Sequence, residues 1–169
     1  NSLESLVTSG ALDYSSTEID ENINKASLII IATPVAQTKL ILKKIEPFLG
    51  AKTIITDVGS TKSIVMSEAR LALKNKFSQF IGSHPIAGSE KHGALAAKKD
   101  LFYGKNIILT PNNKNSLEQI IKLTKFWESL GGVVSKMKAD EHDQIFCTIS
   151  HLPHLLAFSL VNLINNKKN

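Results

Sequence analysis

Three segments of the chain place polar side chains where a predicted strand would end. Thr33 and Pro34 follow one apolar run, Ser60 follows a second, and His84 follows a third. In open α/β sheets ligands bind beyond the carboxyl ends of the strands, so these side chains would share one edge. An imidazole with an unperturbed pKa of about 6.5 can accept a proton near neutral pH. His84 is therefore a candidate base, although a histidine that only satisfies local backbone groups would look the same.

The turn after the second run is rich in small residues. Gly59 allows close approach to a ligand or a positive φ angle. Ser60 and Thr61 carry hydroxyls that either contact a ligand or cap the helix that follows. The pattern leaves both interpretations open.

The histidines near the end of the chain form another group. His151 and His154 are three residues apart, so on a helix they would share a face. The chain has no HExxH arrangement and one cysteine, Cys147, so we expect no metal site. One histidine could satisfy backbone groups at a kink near Pro153, and the other could contact a substrate.

Short apolar runs alternate with amphipathic segments along most of the chain. Most of the runs are continuous rather than alternating, which is typical of strands that are covered on both faces of a parallel sheet. They predict strands at Leu28–Ala32, Thr53–Thr56, Phe80–Gly82, Asn106–Leu109 and Val133–Lys136. The amphipathic segments predict helices over Gln37–Leu49, Thr61–Leu73 and Ser116–Leu130. This alternation predicts an α/β fold with a doubly wound, mostly parallel sheet.

The pattern changes after Lys138. The segment Ala139–Ile164 predicts one long helix, and Pro153 inside it predicts a kink. We therefore expect one domain over residues 1–138 and the beginning of a second, helical domain over residues 139–169. The chain begins at Asn1 rather than Met and stops within a helical pattern, so we expect it to be truncated at both ends.

The composition limits the classes of partner. Hydrophobic residues make up 43% of the chain and the net charge is +5. The lysines are scattered and Arg70 is the only arginine, so no basic stripe indicates nucleic-acid binding. No apolar run reaches the roughly 20 residues that a membrane span needs, so we expect no membrane. A single cysteine fits a reducing cytoplasm.

Five stretches together resemble the prephenate and arogenate dehydrogenase family. They are IIIATPV, DVGSTK, GSHPIAGSEKHG, LFYGKNIILTP and EHDQIFCTISHLPHLLAFSLV, in the family's order and spacing. The resemblance implies a Rossmann-like domain followed by the first helix of an all-helical dimerisation domain. It also implies oxidative decarboxylation of prephenate or arogenate with NAD or NADP, in tyrosine biosynthesis, by an enzyme that is a homodimer when complete.

The resemblance also implies roles for individual residues. His84 would accept the proton of the substrate's ring hydroxyl as hydride departs, and Ser60 would bind the same hydroxyl and orient His84. Substrate contacts are implied for Ser89, Glu90 and His154. Cofactor contacts are implied for Thr33, Pro34 and Val58.

Two features depart from the family pattern. The chain contains no GxGxxG turn for the pyrophosphate, so the choice between NAD and NADP stays open. The family's carboxylate-binding arginine has no counterpart, because Arg70 is expected on a helix surface. We therefore expect these 169 residues alone to lack dehydrogenase activity. Two other interpretations remain: a different dehydrogenase or imine reductase with a Rossmann domain and a helical domain, or a non-catalytic nucleotide-binding module.

Overall fold

The computed structural model describes residues 2–88 and 97–166. The strands are β1 Leu28–Ile31, β2 Ile54–Asp57, β3 Gly82–Pro85, β4 Asn106–Thr110 and β5 Val133–Lys136. The helices are α1 Ser2–Thr8, α2 Thr38–Ile45, α3 Ser63–Leu73, α4 Leu117–Ser129, α5 Ala139–Phe146 and α6 Leu152–Asn166. Short 3₁₀ helices span Glu21–Lys25, Val35–Gln37, Glu46–Phe48 and Lys74–Gln79.

The strands form a mostly parallel arrangement in chain order. β1 pairs with β2 and β4 pairs with β5, both in parallel register. A parallel bridge between Ile55 and Phe80 connects β2 to the residues just before β3. β3 and β4 are antiparallel. The predicted doubly wound α/β fold is confirmed, with one antiparallel pairing.

Apolar clusters cover both faces of this arrangement. Ile54 and Ile55 are adjacent in β2, and because side chains alternate along a strand they enter different clusters. The cluster of Ile55 packs α2 and α3 against the sheet, with Leu42 and Leu73 fully buried. The cluster of Ile54 packs α4, whose Trp127 is 1% exposed. Coverage on both faces explains why the strand sequences are continuously apolar.

Helix α4 shows how local sequence fixes an element. The Ser116 hydroxyl accepts from the Gln119 backbone N–H at 3.2 Å, and the Gln119 side chain accepts from the Ser116 N–H at 2.8 Å, which completes a capping box. The helix ends before Gly131, whose φ of +82° favours glycine. The helix predicted over Ser116–Leu130 is confirmed, with its first and last residues at the two caps.

The third predicted strand was placed wrongly. Phe80 and Ile81 meet β2 only through the isolated bridge, whereas residues 82–85 pair with β4. His84 therefore lies within β3, opposite Ile108, and not in a turn after the strand. The antiparallel partner extends the strand beyond the apolar residues from which its end was predicted.

The predicted long helix is interrupted at one point. A π-helical turn at Cys147–His151 separates α5 from α6. Pro153 lacks a backbone N–H, and a local π-helical turn is one way to absorb the missing hydrogen bond. By length and composition alone, the helical segment Ala139–Asn165, which contains an 18-residue window with a mean hydropathy of 1.4, could cross a membrane. That result contradicts the expectation that no segment is long and apolar enough.

Candidate active site

A cavity of about 570 Å³ lies between the end of β3 and the helical segment. Ser60 and His84 line it from the α/β domain, and Phe146, Ile149 and Ser150 line it from the helical segment. The structure thus brings together Ser60 and His84, the two residues predicted to be catalytic. Because the walls come from two parts of the chain, the shape of the cavity depends on how α5 packs on the sheet.

His84 has a partner that the resemblance did not single out. Its Nδ1 lies 2.8 Å from Nε2 of His142, on α5. The two rings meet edge-on at 5.0 Å, and Phe146 contacts His84 edge-on at 5.1 Å. These contacts hold the His84 ring at the cavity wall by both hydrogen bonding and packing.

His142 is held in turn by Asp143. Its side chain is completely buried, and its Nδ1 lies 2.8 Å from Oδ1 of Asp143. The His142 ring also stacks on Phe146 with a centroid distance of 4.5 Å. Packing and hydrogen bonding therefore fix the His142 ring.

The Asp143 carboxylate caps helix α3 across the fold. It accepts the Lys62 N–H at 2.7 Å and the Ser63 N–H at 2.8 Å. Burial acts to raise the pKa of Asp143, but the two N–H groups and His142 outweigh it and lower the pKa below the ordinary value of 3.8. Neither Ser60 nor Thr61 caps α3, contrary to one of the two interpretations of that turn.

Behind this chain of contacts lies a buried ion pair. Lys62 is completely buried, and its ammonium contacts the Asp57 carboxylate and donates to the Ser83 carbonyl oxygen at 2.8 Å. Asp57 also accepts the Gly59 N–H at 2.9 Å and the Ser83 N–H at 3.2 Å. Burial raises the pKa of Asp57 and lowers the pKa of Lys62, and their mutual attraction opposes both shifts. The pair ties the end of β2 to Ser83 in β3.

A second, more apolar cavity of about 290 Å³ adjoins the first. Val58 and Ala32 line it, and Pro85 and Ala87 line both cavities. Thr33 and Pro34 are exposed just beyond β1, at the same edge. A Cβ on Gly59 would lie 2.8 Å from Cγ2 of Val35, so the turn between β2 and α3 needs glycine to stay close-packed. Of the predicted cofactor residues, Val58 therefore lines this apolar recess, and Thr33 and Pro34 follow Ala32, which also lines it.

Other predicted site residues are not placed. Ser89 and Glu90 lie outside the described residues. The backbone of His154 belongs to α6, but its side chain also lies outside the described part. Arg70 is exposed, as expected, with its guanidinium 5.0 Å from the Phe77 ring centroid.

Sequence reasoning missed the residues that support His84. His142 and Asp143 stand in the stretch EHDQ, and Asp57 and Lys62 in DVGSTK. A charged residue directly after the predicted buried strand Thr53–Thr56 was a signal that Asp57 would need a partner, since buried charges are paired. The contact between His84 and His142 spans 58 residues and has no local signal.

The fold and this edge are those of a Rossmann-like nucleotide-binding protein joined to a helical segment. The family model for the nucleotide-binding domain of prephenate dehydrogenase matches residues 2–136. The model for the prephenate dehydrogenase dimerization domain matches residues 138–169. The chain belongs to the prephenate dehydrogenase family.

Individual relatives agree with this assignment. Prephenate dehydrogenase of Bacillus subtilis is 36% identical over 161 residues, which is 95% of this chain and 43% of the relative. The Aquifex aeolicus prephenate dehydrogenase structure with hydroxyphenyl propionate and NAD+ has a TM-score of 0.89 at 33% identity, covering 97% of this chain and 57% of that one. Synechocystis arogenate dehydrogenase has a TM-score of 0.85 at 29% identity, covering 96% and 56%. The chain spans about half the length of the curated relatives it matches.

Proposed function

We propose that the protein containing this chain is an NAD- or NADP-dependent dehydrogenase that oxidatively decarboxylates prephenate or arogenate. The observation that carries the proposal is His84 at the wall of a cavity that both parts of the chain enclose. Relatives named for prephenate, cyclohexadienyl and arogenate substrates support the reaction class and leave the substrate's side chain open.

His84 would act as the base of this reaction. A hydride leaves the ring carbon that carries the hydroxyl, and His84 takes the hydroxyl proton as the carbonyl forms. The ring carboxylate then departs as carbon dioxide, its electron pair makes the ring aromatic, and the resulting phenolate regains the proton. The Ser60 side chain lines the same cavity and would bind the same hydroxyl. Ser89, Glu90 and His154 remain predicted substrate contacts.

The residues of the second cavity fit one end of the cofactor. A flat nicotinamide ring suits an apolar recess beside the base, and Val58 at its wall is joined at the same edge by Thr33 and Pro34. Bound NAD(P)+ would supply the hydride acceptor. The 169 residues contain no GxGxxG turn, so the pyrophosphate site is not assigned here.

The exposed face of α6 fits a homodimer of the complete protein. Leu155, Phe158 and Leu160 are 63%, 70% and 60% exposed. Apolar surface of this kind marks a contact with other helices, and the matched dimerization domain gives that contact a place. We also propose residues 1–138 and 139–169 as the two domains and the cytoplasm as the location.

The test uses the complete gene product with prephenate and arogenate, each with NAD+ and NADP+. Reduced nicotinamide should appear with at least one pair. His84→Asn should lower kcat by about 10²- to 10⁴-fold, the usual contribution of a positioned base, and leave cofactor binding unchanged. Folded protein that binds the cofactor but turns over none of the four pairs would overturn the proposal and favour another dehydrogenase or a binding module.

A further inference from the structure

We propose that His142 and Asp143 are positioning residues that hold His84 in the tautomer with its proton on Nδ1. Nε2 of His84 then carries the lone pair. That Nε2 is the base rests on the proposed function, whereas the tautomer is a property of this chain alone. The network consists of these three side chains, two hydrogen bonds and the beginning of α3, which anchors Asp143.

The direction of each hydrogen bond follows from the Asp143 carboxylate at one end of the network. An ionised carboxylate only accepts, so Nδ1 of His142 must donate to Asp143 across the 2.8 Å contact. A neutral imidazole that donates from Nδ1 accepts at Nε2. Nδ1 of His84, 2.8 Å from that Nε2, must therefore donate. Each step leaves one choice for the next ring.

The opposite direction requires an unfavourable state of His142. Nε2 of His142 could donate to His84 only as an imidazolium, or with its own Nδ1 unprotonated against the Asp143 carboxylate. His142 has no exposed side-chain surface, so a charge there would lose its hydration. Asp143 already accepts the Lys62 and Ser63 N–H groups in addition to its contact with His142, so its negative charge is shared among three groups. The Lys62 ammonium, on the residue whose backbone N–H bonds Asp143, is already matched by Asp57.

Packing prevents the His84 and His142 imidazole rings from flipping. His142 stacks on Phe146, and Phe146 also packs edge-on against His84. Asp143 is fixed to the first N–H groups of α3, where the helix dipole favours a negative charge. The orientation of His84 therefore depends on α5 being docked against α3.

The tautomer can be measured directly in the 169-residue chain by long-range ¹H–¹⁵N correlation of ¹⁵N-labelled histidines. Unmodified His84 should show a protonated Nδ1 and an unprotonated Nε2. His142→Phe keeps the stacking on Phe146 but removes the acceptor, and His84 should shift to the Nε2–H tautomer that free histidine favours. His142→Gln returns an acceptor oxygen and should restore the Nδ1–H form.

Two results would overturn the inference. One is an Nε2–H tautomer for His84 in the unmodified chain, which needs no variant to fold. The other is identical His84 spectra for the Phe and Gln variants, which would assign His142 a packing role only. In the complete enzyme, His142→Phe should lower kcat by about 10²-fold, the usual cost of a misplaced catalytic group, and His142→Gln by much less.

The outcomes separate this inference from the proposed function. An Nδ1–H tautomer without turnover of any substrate pair refutes the dehydrogenase and leaves the positioning network standing. Turnover with an Nε2–H tautomer at His84 refutes the network and leaves the dehydrogenase standing.

Discussion

Removing the Asp143 carboxylate should destabilise the protein far more than removing a neighbouring carboxylate on the same helix. Asp143→Ala deletes the acceptor of two backbone N–H groups at the start of α3 and of the His142 ring. Asp140→Ala provides the matched control, because Asp140 is an exposed residue of the same charge in the first turn of α5. Both variants change the net charge equally.

The expected magnitude follows from three separate losses. An N-terminal cap contributes about 1 kcal/mol, and its charge near the helix end about 0.5 kcal/mol. The His142 Nδ1–H, in a fully buried side chain, would lose its acceptor at a cost of about 1–3 kcal/mol. Because Asp143 is 28% exposed, water can replace part of what is lost. We expect a decrease of about 2–3 kcal/mol in the free energy of unfolding, against less than about 0.5 kcal/mol for Asp140→Ala.

Urea unfolding of both variants, followed by circular dichroism, measures the difference. The pH dependence gives a second check. The pKa of Asp143 is depressed in the folded state, so its contribution is complete well above pH 3.8 and is lost as the pH falls through the folded value. The difference in the free energy of unfolding between the unmodified chain and Asp143→Ala should therefore become smaller at acid pH. Equal losses for the two variants, or a gap that is independent of pH, would refute the capping role.

Three further predictions concern the free energy of unfolding and the self-association of the protein. Asp57→Leu should lower the free energy of unfolding by about 3–5 kcal/mol, because it leaves the buried Lys62 ammonium unpaired. Adding Lys62→Met should recover much of that loss. A double variant as unstable as the single variant would contradict this. Gly82→Ala should cost about 1–3 kcal/mol, because the new Cβ would collide with a β4 side chain. Gly88→Ala, whose Cβ would have no described residue within 4 Å, should cost little, and equal costs would refute the packing argument. Leu155→Glu, on the exposed face of α6, should weaken self-association in sedimentation experiments, and an unchanged mass would count against that face as the contact.

Elements fixed by local chemistry were predictable from the sequence. The capping box at Ser116 uses residues three positions apart, and the strand Val133–Lys136 was predicted with its observed bounds. The position of His84 was not, because the end of β3 is set by pairing with β4, which lies more than twenty residues later. One of the two interpretations of Ser60 and Thr61 placed the cap of α3 on a local hydroxyl, whereas its acceptor is Asp143, about eighty residues away. Tertiary contacts of this range leave no periodic signal in the chain.

The contacts around His84 suggest that α5 serves the site more than the core. Both apolar clusters of the described residues draw their members from between Ile23 and Val134, so the sheet and its helices pack without α5. Helix α5 instead supplies His142 and Asp143, which meet the α/β domain at His84 and at the start of α3. Lys62 connects this network to the buried pair, since its backbone N–H bonds Asp143 while its ammonium contacts Asp57. A displacement of α5 would therefore break the contact between His84 and His142 and leave both apolar clusters intact, so the orientation of the His84 ring depends on how α5 packs against the sheet.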